Sequence, residues 1–360
     1  MEKKSIPLKK RIALNIFSKY IKVQTIQHEL SYLFWECTLR CNMNCLHCGS
    51  DCRKDALTKD MPFTDFLKVI NNISTKVNPH KTMIVITGGE PLLRKDLELC
   101  GKELYKLGFP WGIVSNGYNL TKERFQSLID SGMRSITISL DGFASSHNWL
   151  RGKPDSWEKA MKAIQMIVKA HDPVYDVVTC VNQKNIHELD RLKDLLIEEG
   201  VNKWRIFTIF PIGRATENPL LDISDSQFKM LMEFIKKTSE ENKINISYGC
   251  EGFLGNYENE VRNGFFFCRA GINIASVLAD GSISACPNIN HQYIQGNIYN
   301  HDFWDVWNNK FQVMRNRDWT KKGICAKCDV YKWCKGNGMH LHSPDKKDVL
   351  RCHYKMINFK

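Results

Sequence analysis

The chain has 360 residues, 43% of them hydrophobic and 25% charged, with a formal charge of +12. That length suits one large domain and a smaller one of ordinary soluble composition, and no stretch approaches the roughly 20 apolar residues of a membrane-spanning helix. Fourteen cysteines, several in C-x2-C pairs, read as metal ligands in a reducing cytoplasm rather than as disulfides, and the excess of base favours an acidic partner without specifying one.

In chain order, Met1 to about Thr25 is basic and amphipathic: Lys3, Lys4, Lys9, Lys10 and Arg11 precede Ile12, Leu14, Ile16, Phe17, Tyr20 and Ile21. It has the charge of a signal peptide but too short an apolar run and no small-residue cleavage site, which argues against export. A helix packed on the barrel formed by the following segments is expected, with membrane-surface or partner docking as the alternative. From Leu30 to Pro211, short apolar runs alternate with amphipathic ones. Strands are predicted at Tyr32–Cys37, Met83–Thr87, Gly112–Ser115, Ser135–Leu140, Tyr175–Cys180 and Trp204–Phe210. Helices are predicted at Phe63–Lys76, Lys95–Lys106, Lys122–Ser131, Trp157–Ala170 and Ile186–Glu198, several with caps such as Thr121 and Asp155 or stops such as Gly132 and Gly200. This is the α/β pattern of a parallel sheet covered by helices, with six βα units, too few for a closed eight-fold barrel. A further helix, Asp225–Glu241, leads to a region from near Ile244 that is rich in Cys, Gly and Asn. There regular structure is expected to be sparse and ligand bonds to matter more than a hydrophobic core. The division is therefore an extension (1–27), a barrel (28–215), a linking helix (216–245) and a Cys-rich domain (246–360).

The run Cys41-Asn42-Met43-Asn44-Cys45-Leu46-His47-Cys48 carries the sharpest chemistry. A protein-bound 4Fe–4S cluster takes four thiolates; three at C-x3-C-x2-C spacing would leave one iron open. Structural zinc, with His47 as a possible ligand, is the competing reading. Polar punctuation falls after the strands: Gly88-Gly89-Glu90-Pro91, Ser115-Asn116-Gly117 and Ser139-Leu140-Asp141-Gly142. Parallel α/β folds build sites at the carboxyl ends of strands, so these residues are expected to face one cavity together with the cysteine loop. The glycines would let backbone approach a ligand closely, and Pro91 would stiffen the exit. No G-x-G-x-x-G follows any strand, which disfavours a Rossmann nucleotide site.

These motifs resemble the radical S-adenosylmethionine (radical SAM) superfamily, over nearly the whole chain after about residue 28. The resemblance implies a partial (β/α)6 barrel in which Cys41, Cys45 and Cys48 hold a 4Fe–4S cluster. The open iron would chelate S-adenosyl-L-methionine, whose reductive cleavage yields a 5′-deoxyadenosyl radical that abstracts hydrogen from substrate. It places the Gly88–Pro91 segment at the amino group of S-adenosylmethionine with Glu90 as a side-chain contact, and Ser115 and Asn116 at the ribose. Ser139 and Asp141 fall near the ribose or the methionyl carboxylate, with Arg151 able to pair with that carboxylate. Phe210-Pro211-Ile212-Gly213-Arg214 matches a segment that packs on adenine. His47 stands where the family more often has an aromatic residue.

The array Cys268-x12-Gly281-x4-Cys286, Cys325-x2-Cys328-x5-Cys334 and Cys352 resembles the SPASM domain, an auxiliary-cluster extension of peptide-modifying radical SAM enzymes. That implies one or two auxiliary 4Fe–4S clusters: Cys325, Cys328, Cys334 and Cys352 for one, Cys268 and Cys286 with Cys250 for the other. The family pattern has a further cysteine where this chain has Gly338. The Cys250 set could therefore have an open iron that binds substrate, recruit His340 or His342, borrow another cysteine, or hold no cluster; non-cysteine or open ligation is favoured. Structural zinc remains the rival for the whole array. Cys37 and Cys180 read as small buried hydrophobes in strands; Cys52, close behind the cysteine loop, could be a ligand, with packing favoured.

The resemblance implies an oxidoreductase acting on a peptide or protein side chain and served by a one-electron donor such as flavodoxin or ferredoxin. Pro287 and Asn288 stand where sulfatase-maturing enzymes have an Asp, and only 40 residues precede Cys41, so a leader-binding domain is not expected within the chain. The nearest subgroup is the radical SAM/SPASM proteins paired with small lipoproteins. Small-molecule chemistry, such as decarboxylation of haem-precursor propionates, is the alternative, supported by Trp35–Thr38 and Cys48–Ser50. A non-enzymatic zinc protein binding nucleic acid ranks last, since no basic patch with interleaved aromatics is evident.

Overall fold

The computed structural model describes residues 6–170, 172–343, 345 and 349–358; Lys3 and Lys4 of the basic extension lie outside these. Six parallel strands, β1 (Tyr32–Glu36), β2 (Met83–Thr87), β3 (Trp111–Ser115), β4 (Met133–Ser139), β5 (Val174–Val181) and β6 (Lys203–Thr208), lie within a residue or two of the predicted spans. The helices are α1 (Leu8–Gln27), α2 (Phe63–Ser74), α3 (Leu97–Lys106), α4 (Lys122–Asp130), α5 (Ala144–Arg151), α6 (Ser156–Val168), α7 (Leu189–Glu198) and α8 (Asp225–Glu240). Thr121 caps α4 by accepting from Arg124 N–H, and Ser224 with Gln227 forms a capping box on α8.

The helices cover the sheet because their apolar stripes match its outer face. Trp35 of β1 stacks on Phe66 of α2 with ring centroids 4.5 Å apart. Gly101 is required in α3, because a Cβ there would lie 2.0 Å from the Trp111 ring of β3. Helix α5 was not anticipated: its sequence, ASSHNWLR, has too few apolar residues to mark a stripe.

Two expectations are corrected beyond α8. The chain does not leave the sheet near Ile244: β7 (Asn245–Tyr248) pairs parallel with β6, so the division at 245/246 falls inside a strand. The Cys-rich region also has a substantial core. Its β8 (Ile274–Val277) pairs parallel with β1, β9 (Ser282–Ser284) and β10 (Gly296–Asn297) follow antiparallel, and the sheet runs β10-β9-β8-β1-β2-β3-β4-β5-β6-β7. Buried Tyr293, Phe303, Trp307, Phe311 and Met314 belong to the same hydrophobic cluster as the barrel. Aromatic side chains bury enough area to hold such a region without metal bonds alone.

Helix α1 packs on the C-terminal region rather than on the barrel. Leu14 is buried, Asn15 Oδ1 accepts from Trp333 Nε1 at 2.9 Å, Phe17 meets Phe265 at 5.4 Å, and Lys10 pairs with Glu260 at 2.7 Å. Ile12, Ile16 and Tyr20 face outward. No helix among the described residues is long and apolar enough to cross a membrane.

Candidate active site

The loop after β1 carries Cys41, Cys45 and Cys48 across the carboxyl ends of the strands. It is pinned there by backbone: Gly89 N–H donates to Thr38 O at 2.7 Å and Glu90 N–H to Arg40 O at 2.9 Å. This is the physical reason for Gly88-Gly89. A Cβ on Gly88 would lie 2.2 Å from Thr38 O, and one on Gly89 2.1 Å from Arg40 O. The sequence suggested room for a ligand; the close approach found is to the cysteine loop itself.

One cavity of about 310 Å³ is lined by Cys41, Cys45 and Cys48 together with Gly88, Gly89, Ser115, Asn116, Ser139 and Arg151. Its other walls include Val178, Cys180, Phe207, Phe210, Ile212, Arg214 and, from the C-terminal region, Asn288. Glu90, Pro91 and Asp141 do not line it. Glu90 is fully buried and accepts from Ser115 Oγ at 2.8 Å, Asn116 N–H at 2.8 Å and Leu92 N–H at 3.1 Å. Its place is behind the wall, tying the β2 and β3 loops together, rather than as a contact to a ligand in the cavity. Burial raises its pKa, and the three donors work against that rise. Asp141 is fully buried too; its carboxylate binds Arg151 at 2.6 Å and accepts from Cys180 N–H at 2.8 Å. Burial alone would raise the Asp141 pKa, but the Arg151 guanidinium leads the opposing interactions and the net shift is downward.

Donors converge on the three sulfurs. Asn116 Nδ2 lies 3.9 Å from Cys41 Sγ, Arg151 Nη1 3.8 Å from Cys45 Sγ, and Cys52 N–H 3.3 Å from Cys48 Sγ. Three thiols on one loop, facing one cavity and met by cationic or amide hydrogen, are a donor set suited to an iron–sulfur cluster. The Cys52 thiol, reinforced by backbone N–H groups, draws the Cys48 pKa down, whereas burial pushes Cys41 up to about 12. Cys52 and Cys180 also line the cavity; the sequence favoured packing for both, with a ligand role as the alternative for Cys52. His47 is also on the wall, with its Nδ1 buried and unpartnered, and burial lowers its pKa to about 3.

The C-terminal cysteines gather in two sets. Burial pushes Cys286 up to about 12, and the nearby Cys250 and Cys268 thiols add to the rise. Burial likewise raises Cys325 to about 11, with Cys352 and Cys328 contributing, and Cys334 feels Cys352 and Cys325. A network the sequence did not reveal lies beside them: buried Glu251 accepts from Thr208 N–H and Tyr248 Oη, each at 2.6 Å, and meets His353 Nε2 at 3.3 Å. No periodicity or motif could have marked Glu251, since its partners come from β6, β7 and the C-terminal helix His353–Asn358.

Residues 35–196 match the radical SAM superfamily, and residues 268–329 match SPASM, an iron–sulfur cluster-binding domain. The chain is a radical SAM enzyme with a SPASM domain. Among similar proteins, an AdoMet-dependent heme synthase of Methanosarcina barkeri is 25% identical over 84% of this chain and 89% of its own length. The mycofactocin maturase MftC of Mycobacterium tuberculosis is 26% identical over 88% of this chain and 82% of its own. Streptococcus suis SuiB bound to S-adenosylmethionine shares the fold, with a TM-score of 0.70 at 18% identity over 91% of this chain and 79% of that one. A radical SAM domain takes S-adenosylmethionine and a 4Fe–4S cluster, and SPASM takes auxiliary iron–sulfur clusters. When bound, that cofactor pair supplies a 5′-deoxyadenosyl radical for hydrogen abstraction. Cys41, Cys45 and Cys48 would hold that cluster, while Glu90 and Arg151 brace the surrounding loops and Val178, Phe207, Phe210 and Ile212 wall the cavity against water.

Proposed function

We propose that this enzyme modifies a peptide or protein side chain in the cytoplasm, drawing electrons from a small carrier such as flavodoxin or ferredoxin. In this reading Cys41, Cys45 and Cys48 bind the catalytic cluster. Gly88, Gly89, Ser115, Asn116 and Ser139 border S-adenosylmethionine, Glu90 and Pro91 shape the loop behind them, and Asp141 positions Arg151. The Cys250 and Cys325 sets bind auxiliary clusters that take up the electron left on the substrate or hold the substrate itself.

The supporting observation is the charge of the cavity wall. Its two guanidinium groups already have carboxylate partners: Arg151 pairs with Asp141 at 2.6 Å, and Arg214 lies 3.4 Å from Asp51. An acidic tetrapyrrole needs free cations for its propionates, whereas an uncharged peptide segment suits a wall of Phe207, Phe210 and Ile212. Haem-precursor chemistry is the second reading, favoured by similarity to the Methanosarcina barkeri heme synthase. Iron-loaded protein with S-adenosylmethionine and dithionite should release 5′-deoxyadenosine, and short peptides encoded beside its gene should change mass. A stoichiometric spectral shift and turnover with an iron tetrapyrrole, with every such peptide unchanged, would replace the first reading with the second. Zinc without iron or sulfide would remove both.

A further inference from the structure

The Cys250, Cys268 and Cys286 set has three thiols, one fewer than a fully protein-bound cubane requires. We propose that His340 supplies the fourth ligand, through Nε2. This rests on the reading of these cysteines as cluster ligands and adds a residue that the SPASM match, ending at residue 329, does not reach.

His340 is 8% exposed, and its Nε2 is buried without a hydrogen-bond partner. A buried nitrogen left unpaired is costly, so a partner outside the polypeptide is the natural account of it. The segment carrying it lies against two of the three cysteines. Met339 N–H, one residue before, is 3.4 Å from Cys268 Sγ, and Gly338 N–H donates at 3.0 Å to the carbonyl of Glu251, next to Cys250.

Gly338 is part of the arrangement. A Cβ there would lie 2.5 Å from His340 Cε1, so the imidazole occupies the space that a side chain at 338 would enter. Phe210, on the wall of the radical cavity, has its ring centroid 4.1 Å from that of His340. The His340 ring thus touches a wall residue of the cavity while its neighbour Met339 touches Cys268.

Two other histidines are less suited. His342 Nε2 is bonded to Gly336 O at 2.6 Å. His353 has an unpartnered Nδ1, but its ring packs on Phe228 of α8 at 4.9 Å and its Nε2 belongs to the Glu251 network. An imidazole in place of a thiolate removes one negative charge from the ligand set and raises the reduction potential, as in Rieske centres. That would favour acceptance of an electron from substrate.

The test uses the full chain with Cys41, Cys45 and Cys48 changed to Ala, reconstituted with iron and sulfide, without S-adenosylmethionine, and reduced. Pulsed EPR should show a strongly coupled nitrogen that changes isotope with 15N-histidine. His340→Ala should abolish that coupling, and His353→Ala should retain it. Labelling of the parent protein gives a reading even if a variant fails to fold. A Cys250-set cluster without nitrogen coupling, or coupling that survives His340→Ala, overturns the assignment while leaving the cluster reading intact. If changing Cys250, Cys268 and Cys286 to Ala removes no iron, both fall together.

Discussion

The two cysteine regions are built in different ways. Cys41, Cys45 and Cys48 lie within eight residues on one loop, and Asn116, just after β3, and Arg151, at the end of α5, meet their sulfurs. Of the C-terminal cysteines, Cys325, Cys328 and Cys334 form a second local run that Cys352 joins from the last segment, whereas Cys250, Cys268 and Cys286 are spread along the chain, after β7, before β8 and after β9. A local ligand run can be assembled before the fold is complete; a dispersed one exists only once the fold is made. The difference teaches that the Cys41–Cys48 loop is specified by spacing and the Cys250 set by packing.

The sharpest way to break this comparison is to remove one sulfur from each region. Cys45→Ala should lower 5′-deoxyadenosine release by more than about 10³-fold, equivalent to roughly 4 kcal/mol of barrier. Cys328→Ala should leave cleavage of S-adenosylmethionine within about tenfold while abolishing product. Equal losses of cleavage in both variants would mean that the regions do not divide the chemistry. The buried Asp141–Arg151 pair gives the next effect. Asp141→Asn leaves the guanidinium without its charge partner and should cost about 3–5 kcal/mol in urea unfolding. Lys68→Ala, which removes an exposed partner of Asp65 at 2.9 Å, should cost under about 1 kcal/mol.

Much of the barrel was legible because its elements bury one face at a time. The continuous apolar run Met83-Ile84-Val85-Ile86 marks a strand covered on both faces, and the helical stripe in Phe63–Ser74 marks which side of α2 goes inward, without reference to the rest of the chain. Strand β7 was missed because Asn245-Ile246-Ser247-Tyr248 is too short to show a pattern, and its place is set by β6. The cavity could be located from strand ends, but which polar residues face it could not. Glu90 and Asp141 look like contact residues in sequence; only the buried donors around them reveal that they hold other residues in place.

A pH titration sharpens the barrel side further. His147 is buried, and its Nδ1 accepts from Asp141 N–H at 3.0 Å. Burial lowers its pKa from 6.5 to about 4, against the pull of Asp141. Between those values the unfolded chain binds a proton that the folded one refuses, so this contribution is complete above pH 6.5 and is lost as pH falls toward 4. The loss should reach about 3 kcal/mol, and His147→Gln should flatten the urea-midpoint profile over that window. The smallest effect belongs to the outer contact of the C-terminal region: Lys10→Ala should destabilise by about 0.5–1 kcal/mol, because Glu260 is partly solvated and also reaches Lys236 at 2.9 Å.

Because β8 lies beside β1, the strand leading into the Cys41–Cys48 loop has a neighbour on both sides. A truncation ending after β7 would turn that strand into a bare rim, with unpaired amides from Tyr32 to Trp35 open to another chain. The shortened protein should self-associate, visible as a concentration-dependent rise in light scattering even in the absence of iron.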